Sequence, residues 1–554
     1  MNREQSIAEL HKVAASRGLA EGRNFCIQLT QTYPQDIEIW VMRGGLHFKL
    51  GEYDGVVECA RRVIALDAQH AGAHFSLGIA LQNLKRMTEA EAAYRDTLHI
   101  HPAHSKALAQ FIGVLTEQNR LAEVRTVLDN ALAHAPKDAL LHYNLGMLFL
   151  NLGQQADAKR AFEQAVAFNP ALSEAHYYLG LLHYRQQEYN ASITWFLRAC
   201  MLTPTAIEPH RMLGAACVNA GRVLEAAKAY EHLAKLAPND ADAHTCAAMC
   251  HLMLGNFARG WPEYEWRLKT NYMAAPPTGM PRWNGQPLNG KTILINAEQG
   301  HGDTVQFVRY AREVKACGGN VILGCQPALR RLLASCAGVD RVVCHGEPAP
   351  PYHVLVTLLS LPGMFKTTLE TIPAEVPYLT VPSGAGAQAV ALIARHAGVL
   401  RVGLVWAGGI HTQNRHRSLT LEHFKNLLGV AGTKFFSLQK DAATAELKLL
   451  PADTVVDLDP YLSDFADTAA AIQALDLIIS VDTAVAHVAG ALSRPVWTLL
   501  PFAPDWRWML NRDDSPWYPS MRLFRQPAVG DWNSVIERVA AQLTVMVQTR
   551  SATV

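Results

Sequence analysis

The sequence predicts an α-helical solenoid followed by an α/β region of two lobes, and three observations carry that reading. Prolines stand at 34, 102, 136, 170, 204 and 238, all multiples of 34, with Ala68 the one gap. Beyond residue 290, short aliphatic and β-branched runs alternate with helical stretches, the pattern of a parallel sheet covered by helices. Two stretches rich in proline and glycine, NYMAAPPTGMPRWNGQPLNG at 271–290 and VPSGAGAQ at 381–388, fall where the pattern changes.

The first 270 residues are justified by the period itself. Glycines at 44, 78, 146, 180 and 214 keep it, with Ile112 the exception, as do Ala90, Ala158 and Ala226 and the aromatics Tyr94, Phe162, Phe196 and Tyr230. The unit LHYNLGMLFLNLGQQADAKRAFEQAVAFNP has apolar positions at helical spacing in two segments broken at Gly153. This pattern resembles the tetratricopeptide repeat, in seven copies ending at Pro238 and an eighth, from 241 to about 270, that keeps Tyr264 but ends in WPEYEWRLK. The resemblance implies a right-handed superhelix with a concave groove that holds a protein or peptide. His74, His142, His176, His210 and His244 recur at one position of the repeat and are expected to pack, and His244, Cys246, Cys250 and His251 are expected to do the same rather than hold zinc. The sixth positions, from Met42 to Cys246, include a single asparagine, Asn144, so an asparagine ladder for gripping a peptide backbone is not expected.

The α/β region reads as KTILINA, a helix from about 303 to 317, NVILGC, a helix from 327 to 336, RVVCH and HVLVTLL. After 381–388 come RVGLVWAG, a helix at 420–429, KFFSLQ, TVVDL, a helix at 464–475, LDLIISVD, a helix at 484–492, PVWTLLP and a final helix near 532–547, expected to pack back across the lobes. The expected division is 1–270 for the array, 271–290 for a linker, 291–385 for the first lobe and 386–554 for the second. Open α/β sheets bind ligands beyond the carboxyl ends of their strands. A helix starting at Thr483 or Ala484 would offer free N–H groups to a phosphate, with Arg415, Arg417 and Lys440 as cations to share it.

Four segments, EQGHGDTVQFVRY, VGLVWAGG with RHRSL, DFADTAAAIQALDLIISVDTAVAHVAGAL and PVWTLLPFAPDWRWMLNRDDSPWYPSMRLFRQ, resemble glycosyltransferase family 9, the heptosyltransferases, over about residues 282–545. The resemblance implies the GT-B fold of two Rossmann-like lobes. It implies Asp303 as the general base that takes the acceptor's proton, with Gly300 and Gly302 letting that loop enter the cleft. Arg417 stands for the family's phosphate-binding lysine, Asp482, Thr483, Ala484 and His487 match its Asp-Thr-x-x-x-His donor segment, and Gln439 replaces a glutamate that meets the ribose. Asp303 also reads as a helix cap. Asp457 and Asp459 have the form of a metal motif, but GT-B transferases steady the leaving diphosphate with helix ends and cations, so no metal and no cofactor is expected. Trp497, Phe502, Trp506, Trp508 and Trp517 suit packing between lobes more than stacking on sugar.

The balance of 50 Lys+Arg against 49 Asp+Glu leaves a net charge of +1, no footprint for nucleic acid. Ten cysteines without a Cys-x-x-Cys pair, no signal peptide and no apolar run of about 18 residues predict a cytoplasmic protein without an integral membrane segment. The expected activity is inverting transfer from a nucleotide-diphosphate sugar to a protein hydroxyl presented by the array, a surface or flagellar subunit being the leading acceptor. The alternatives are transfer to a glycan or lipid-linked acceptor, and a repeat scaffold without catalysis.

Overall fold

The computed structural model describes residues 2–270, 279–409 and 416–553. The chain forms two compact units, Met1–Gln186 with Thr194–Pro204, and Gln187–Ile193 with Thr205–Val554. Among the described residues, sixteen consecutive helices run from α1 (Arg3–Arg17) to α16 (Phe257–Tyr264), and a 3-10 turn, Glu265–Lys269, follows them.

In these helices the period of the sequence returns as geometry. Asp36, Asp138 and Asp240 cap the first helix of their repeats by accepting a backbone N–H, and His70 and His104 do so through Nδ1. The turn inside each repeat needs a left-handed residue. Gly51, Gly153, Gly221 and Gly255 supply it at φ of 75°, 73°, 73° and 77°, while Lys85, Asn119 and Gln187 adopt it at 62°, 58° and 61°. A Cβ on Gly146, Gly180 or Gly214 would lie 2.6 Å from the ring of Phe162, Phe196 or Tyr230 respectively. Each glycine therefore makes room for the aromatic sixteen residues on. Where Ile112 breaks the glycine series, the facing residue is Leu128, and aliphatic volume replaces the ring. The recurring histidines are structural, as expected. Nε2 of His74, His142, His176 and His244 meets the carbonyls of Ala68, Pro136, Pro170 and Pro238 at 3.2, 2.9, 2.9 and 3.1 Å.

The α/β region holds two sheets, parallel throughout. The first contains β1 (Thr292–Asn296), β2 (Asn320–Cys325), β3 (Arg341–Cys344) and β4 (Val354–Thr357) in the order β3-β2-β1-β4. The second contains β5 (Leu400–Val405), β6 (Thr433–Ser437), β7 (Val455–Asp457), β8 (Leu477–Val481), β9 (Val496–Leu500) and β10 (Met521–Arg525) in the order β7-β6-β5-β8-β9-β10. Winding reverses between β1 and β4 and again between β5 and β8, the two switch points where such sheets open a crevice. The helices are α17 (His301–Phe307), α18 (Ala311–Ala316), α19 (Arg330–Leu333), α20 (Leu361–Met364), α21 (Ala387–Ala394), α22 (Lys425–Leu428), α23 (Phe465–Ala474), α24 (Ala484–Ala491) and α25 (Trp532–Thr553). Among the described residues the final helix packs on the second lobe rather than across both. Trp532, Val535, Ile536, Val539 and Leu543 of α25 enter the core of the second sheet with Phe424 and Leu427, because its apolar stripe matches that face.

The degenerate end of the array is a wedge. Arg267 is buried and bridges to the buried Glu298 at 2.7 Å, to Glu265 at 2.7 Å and to Ser360 at 2.9 Å. Glu298 lies just past β1 and also accepts the N–H groups of Leu358 and Leu359 past β4, so this ion pair fills the first sheet's switch point. Burial holds Glu298 above the usual carboxylate range, against the pull of Arg267. Beside it the Trp261 indole donates to the Thr367 carbonyl at 2.9 Å and meets Trp506 edge-on at 5.6 Å. The unit that holds both sheets accordingly begins well before residue 270. Of the expected linker, 271–278 lies outside the described residues, and Trp283 is buried with its N–H on the Leu355 carbonyl.

Candidate active site

The second sheet's switch point is where the predicted residues gather. Strand β8 is buried along its length and is followed by Asp482 and Thr483, with Thr483 extended at the N-cap of α24. The first turn of α24 carries Ala484, Val485 and Ala486, side chains too small to cover its N–H groups.

Helix α17 of the first lobe packs directly on α24. A Cβ on Gly302 would stand 2.8 Å from the ring of His487 and 3.5 Å from Cα of Ala484, so the glycine sets the approach of the lobes. Gly300 precedes α17 in an ordinary extended conformation, φ −68°, and needs no glycine for its backbone. The helix begins at His301, two residues earlier than expected, which puts Asp303 in its first turn. There its Oδ2 accepts the N–H of Gly300 at 2.9 Å, so Asp303 braces the helix start from inside the first turn, with Gly300 and not Asp303 at the N-cap.

Its other oxygen faces the second lobe, where Arg507 Nη2 donates to it. Arg507 is buried, donates to Asp505 at 2.8 Å, and lies over Trp506 at 4.5 Å and Phe307 at 5.5 Å. Burial works against its charge, but Asp303 and Asp505 outweigh that and raise its pKa above the ordinary arginine value. Neither Asp505 nor Arg507 was singled out from sequence. The signal was an arginine inside the aromatic run DWRW, since a charge there needs a buried partner.

Asp482 is buried, with Arg417 Nη1 at 3.5 Å and His487 Nε2 at 4.0 Å. Burial, then the nearby Asp505, push its carboxyl above the usual range, and Arg417 opposes them. His487 is buried too, its Nδ1 3.0 Å from the Tyr518 hydroxyl and its ring stacked on Trp508 at 5.3 Å. Burial, followed by Arg507, Arg309 and Arg417, pushes its pKa well below the ordinary imidazole value, so the ring is neutral. The aromatic segment packs between lobes: Trp506 and Trp517 meet Phe307 at 6.2 and 5.5 Å.

Two predicted residues stay apart from this group. Gln439 Oε1 accepts from Trp406 and Ala407 at 3.1 and 3.0 Å, and Nε2 donates to the carbonyls of Ala407 and Lys440, both at 3.1 Å. Its capacity is spent on the backbone, which leaves nothing for a ribose. Lys440 pairs with Asp459 and donates to the Leu462 carbonyl at 2.8 Å, on the far side of β6 from α24. Arg415 lies outside the described residues. Among the described residues no group of three or more His, Cys, Asp and Glu is set to hold a metal, and Asp457 accepts the N–H of Asp459 at 3.0 Å.

A cavity of about 540 Å³ opens beside this group. Its floor includes Arg417, Asp482 and Asp505, and the loops after β9 and β10 add Phe502 and Gln526.

A family model for the tetratricopeptide repeat matches residues 33–105, 143–207 and 211–272, and one for glycosyltransferase family 9 (heptosyltransferase) matches 422–514. The chain is 27% identical over 318 residues to protein FlbA of Caulobacter vibrioides, covering 53% of each; it spans about half the length of the curated relative it matches. Among solved structures it is similar to Pseudomonas aeruginosa pilF, at 20% identity and TM-score 0.33, over 36% of this chain and 92% of that one. It is also similar to the C-terminal part of a repeat protein from Cytophaga hutchinsonii, at 11% identity and TM-score 0.35, over 43% and 98%. Tetratricopeptide repeats are thus followed by a glycosyltransferase family 9 segment.

Proposed function

We propose that this chain, a tetratricopeptide array joined to a glycosyltransferase family 9 domain, moves a sugar from a nucleotide-diphosphate donor to a hydroxyl of a protein acceptor, with inversion. The observation that supports it is the packing of α17 on α24: Gly302 lets the Asp303 turn reach the second lobe's switch point, where Asp482, Arg417 and the open end of α24 converge. In this reading the diphosphate rests on the N–H groups of α24 and on Arg417, which take up the charge that grows as it leaves. The acceptor oxygen attacks the anomeric carbon and gives its proton to Asp303; the bond to the diphosphate breaks, and its electron pair leaves with the phosphate. Arg507 orients the carboxylate. No step calls for a metal.

The array supports a polypeptide acceptor, because repeat surfaces of this kind read extended chains. No described helix is long and apolar enough to cross a membrane, and the ten cysteines are free, which suits a reducing compartment such as the cytoplasm.

Calorimetric titration with UDP, GDP and ADP tests the reading. At least one is expected to bind with a dissociation constant of about 1 μM to 1 mM, the usual range for enzyme substrates. Binding of none would leave the repeat scaffold as the better account.

A further inference from the structure

The repeats also reach the cavity described above. Besides the second lobe, its wall is made by Gln187, in the turn before α12 (Tyr189–Leu202), by Tyr189 itself, and by Asn219 at the end of α13 (Ile207–Asn219). We propose that this wall is part of the donor's sugar subsite, so that residues of the repeat array take part in selecting which sugar is transferred. The inference rests on the donor reading given above and extends it to the sugar.

Its size fits a small-molecule site, for which volumes run about 300–1,000 Å³. Its chemistry is more selective. Two buried donors on the lining, Arg417 Nε and Gln526 Nε2, have no hydrogen-bond partner among the described residues. A buried donor left in that state costs about 1–3 kcal/mol, so each calls for an oxygen from a ligand. Gln526 is fixed in a pose that presents its donor, because its Oε1 accepts from the N–H groups of Phe502 at 3.0 Å and Gly530 at 3.3 Å and so determines where Nε2 points. Beside these donors stand two carboxylates, Asp482 and Asp505, which only accept. In the donor reading the diphosphate takes the α24 N–H groups and Arg417; a further anion beside Gln526 would satisfy its donor but be repelled by the carboxylates. Hydroxyls donate and accept, so a polyol satisfies both, and Tyr189, Phe502 and Trp532 add aromatic surface for its C–H faces.

Gln187 adds a second line of argument. It sits at the repeat position that requires a left-handed backbone, where four equivalent turns use glycine. Glutamine there costs roughly 1–2 kcal/mol relative to a relaxed conformation. Lys85 and Asn119 accept the same strain elsewhere, but Gln187 is the one that lines this cavity.

The test uses the full chain, with UDP, GDP and ADP against UDP-glucose, GDP-mannose and ADP-glucose. The two variants are Gln187→Gly, which places at this turn the residue that four equivalent turns already use, and Gln526→Glu, which keeps the Oε1 acceptor and turns the free donor into an acceptor. For the base that binds wild type, each variant is expected to weaken the sugar nucleotide about tenfold and leave the free nucleoside diphosphate within about twofold, a difference of about 1.4 kcal/mol. Equal affinity of wild type and both variants for the sugar nucleotide overturns the proposal. So does a parallel loss for the free diphosphate, which would put these residues at the phosphate or base. If wild type binds neither kind of ligand, the donor reading itself has failed, a result distinct from the other two.

Discussion

The change Asp303→Asn separates the two roles the structure gives this residue. Asp303 spends one oxygen on the Gly300 N–H and the other on Arg507. Asparagine has a single acceptor oxygen, so one of the two bonds is lost, at a cost of about 1–3 kcal/mol. The cost stays below the roughly 3–5 kcal/mol of a fully broken buried ion pair, because Arg507 keeps Asp505 at 2.8 Å. Melting is therefore expected a few degrees lower, with the fold intact. Catalysis suffers more. Loss of a positioned base slows the chemical step about 10²- to 10⁴-fold, or about 2.7–5.4 kcal/mol of barrier. The cradle of α24 and Arg417 is untouched, so the dissociation constant for the nucleoside diphosphate should stay within about threefold, since no contact worth more than ~0.7 kcal/mol is removed there. The assay is transfer of labelled sugar under single-turnover conditions, with calorimetry and thermal melting on the same samples. A variant that melts lower yet transfers at the wild-type rate would reduce Asp303 to a cap and latch.

Two further outcomes follow from the same geometry. Arg267→Met leaves Glu298 buried without its partner and should cost about 3–5 kcal/mol in thermal or urea unfolding, while the double change Arg267→Met with Glu298→Gln should recover most of it; equal stability of all three proteins would contradict the wedge. His487 is held neutral, with a folded pKa well below the unfolded value of about 6.5, so below that pH the unfolded chain binds the extra proton and stability falls as pH falls, by about 1.4 kcal/mol per unit until the folded pKa is reached. Melting temperatures between pH 7.5 and 5.5 should drop more steeply for wild type than for His487→Phe, and parallel curves would mean that the ring titrates in the fold as it does in the unfolded chain.

What was legible in the sequence follows physical range. The array could be read because each repeat packs on its neighbours, so glycine and aromatic sixteen residues apart already describe the contact between Gly180 and Phe196. The sheets could be read from apolar runs, although β10, the short MRLFR after a long loop, was not singled out. In the site, Asp482, Thr483, Ala484 and His487 lie on one strand-to-helix turn, and local sequence keeps such residues together. Arg507 finds Asp303 across 204 residues, and Gln187 meets Gln526 on one cavity across 339, distances over which neither spacing nor periodicity carries information. Gln439 misled for a different reason: its position matched, but an amide can satisfy four backbone groups at once where a carboxylate would have to look outward.

The seam at Arg267 also governs how such a chain can be rearranged by recombination. Repeats ahead of residue 186 supply no member of the Arg267–Glu298–Glu265 cluster and can be gained, lost or exchanged without breaking that buried ion pair. A crossover between the last repeat and β1 is another matter, for it would leave an acid in the first sheet with nothing to neutralise it. Descendants of this architecture should therefore vary in the number of early repeats and inherit the WPEYEWRLK segment and the transferase lobes together, as one heritable block.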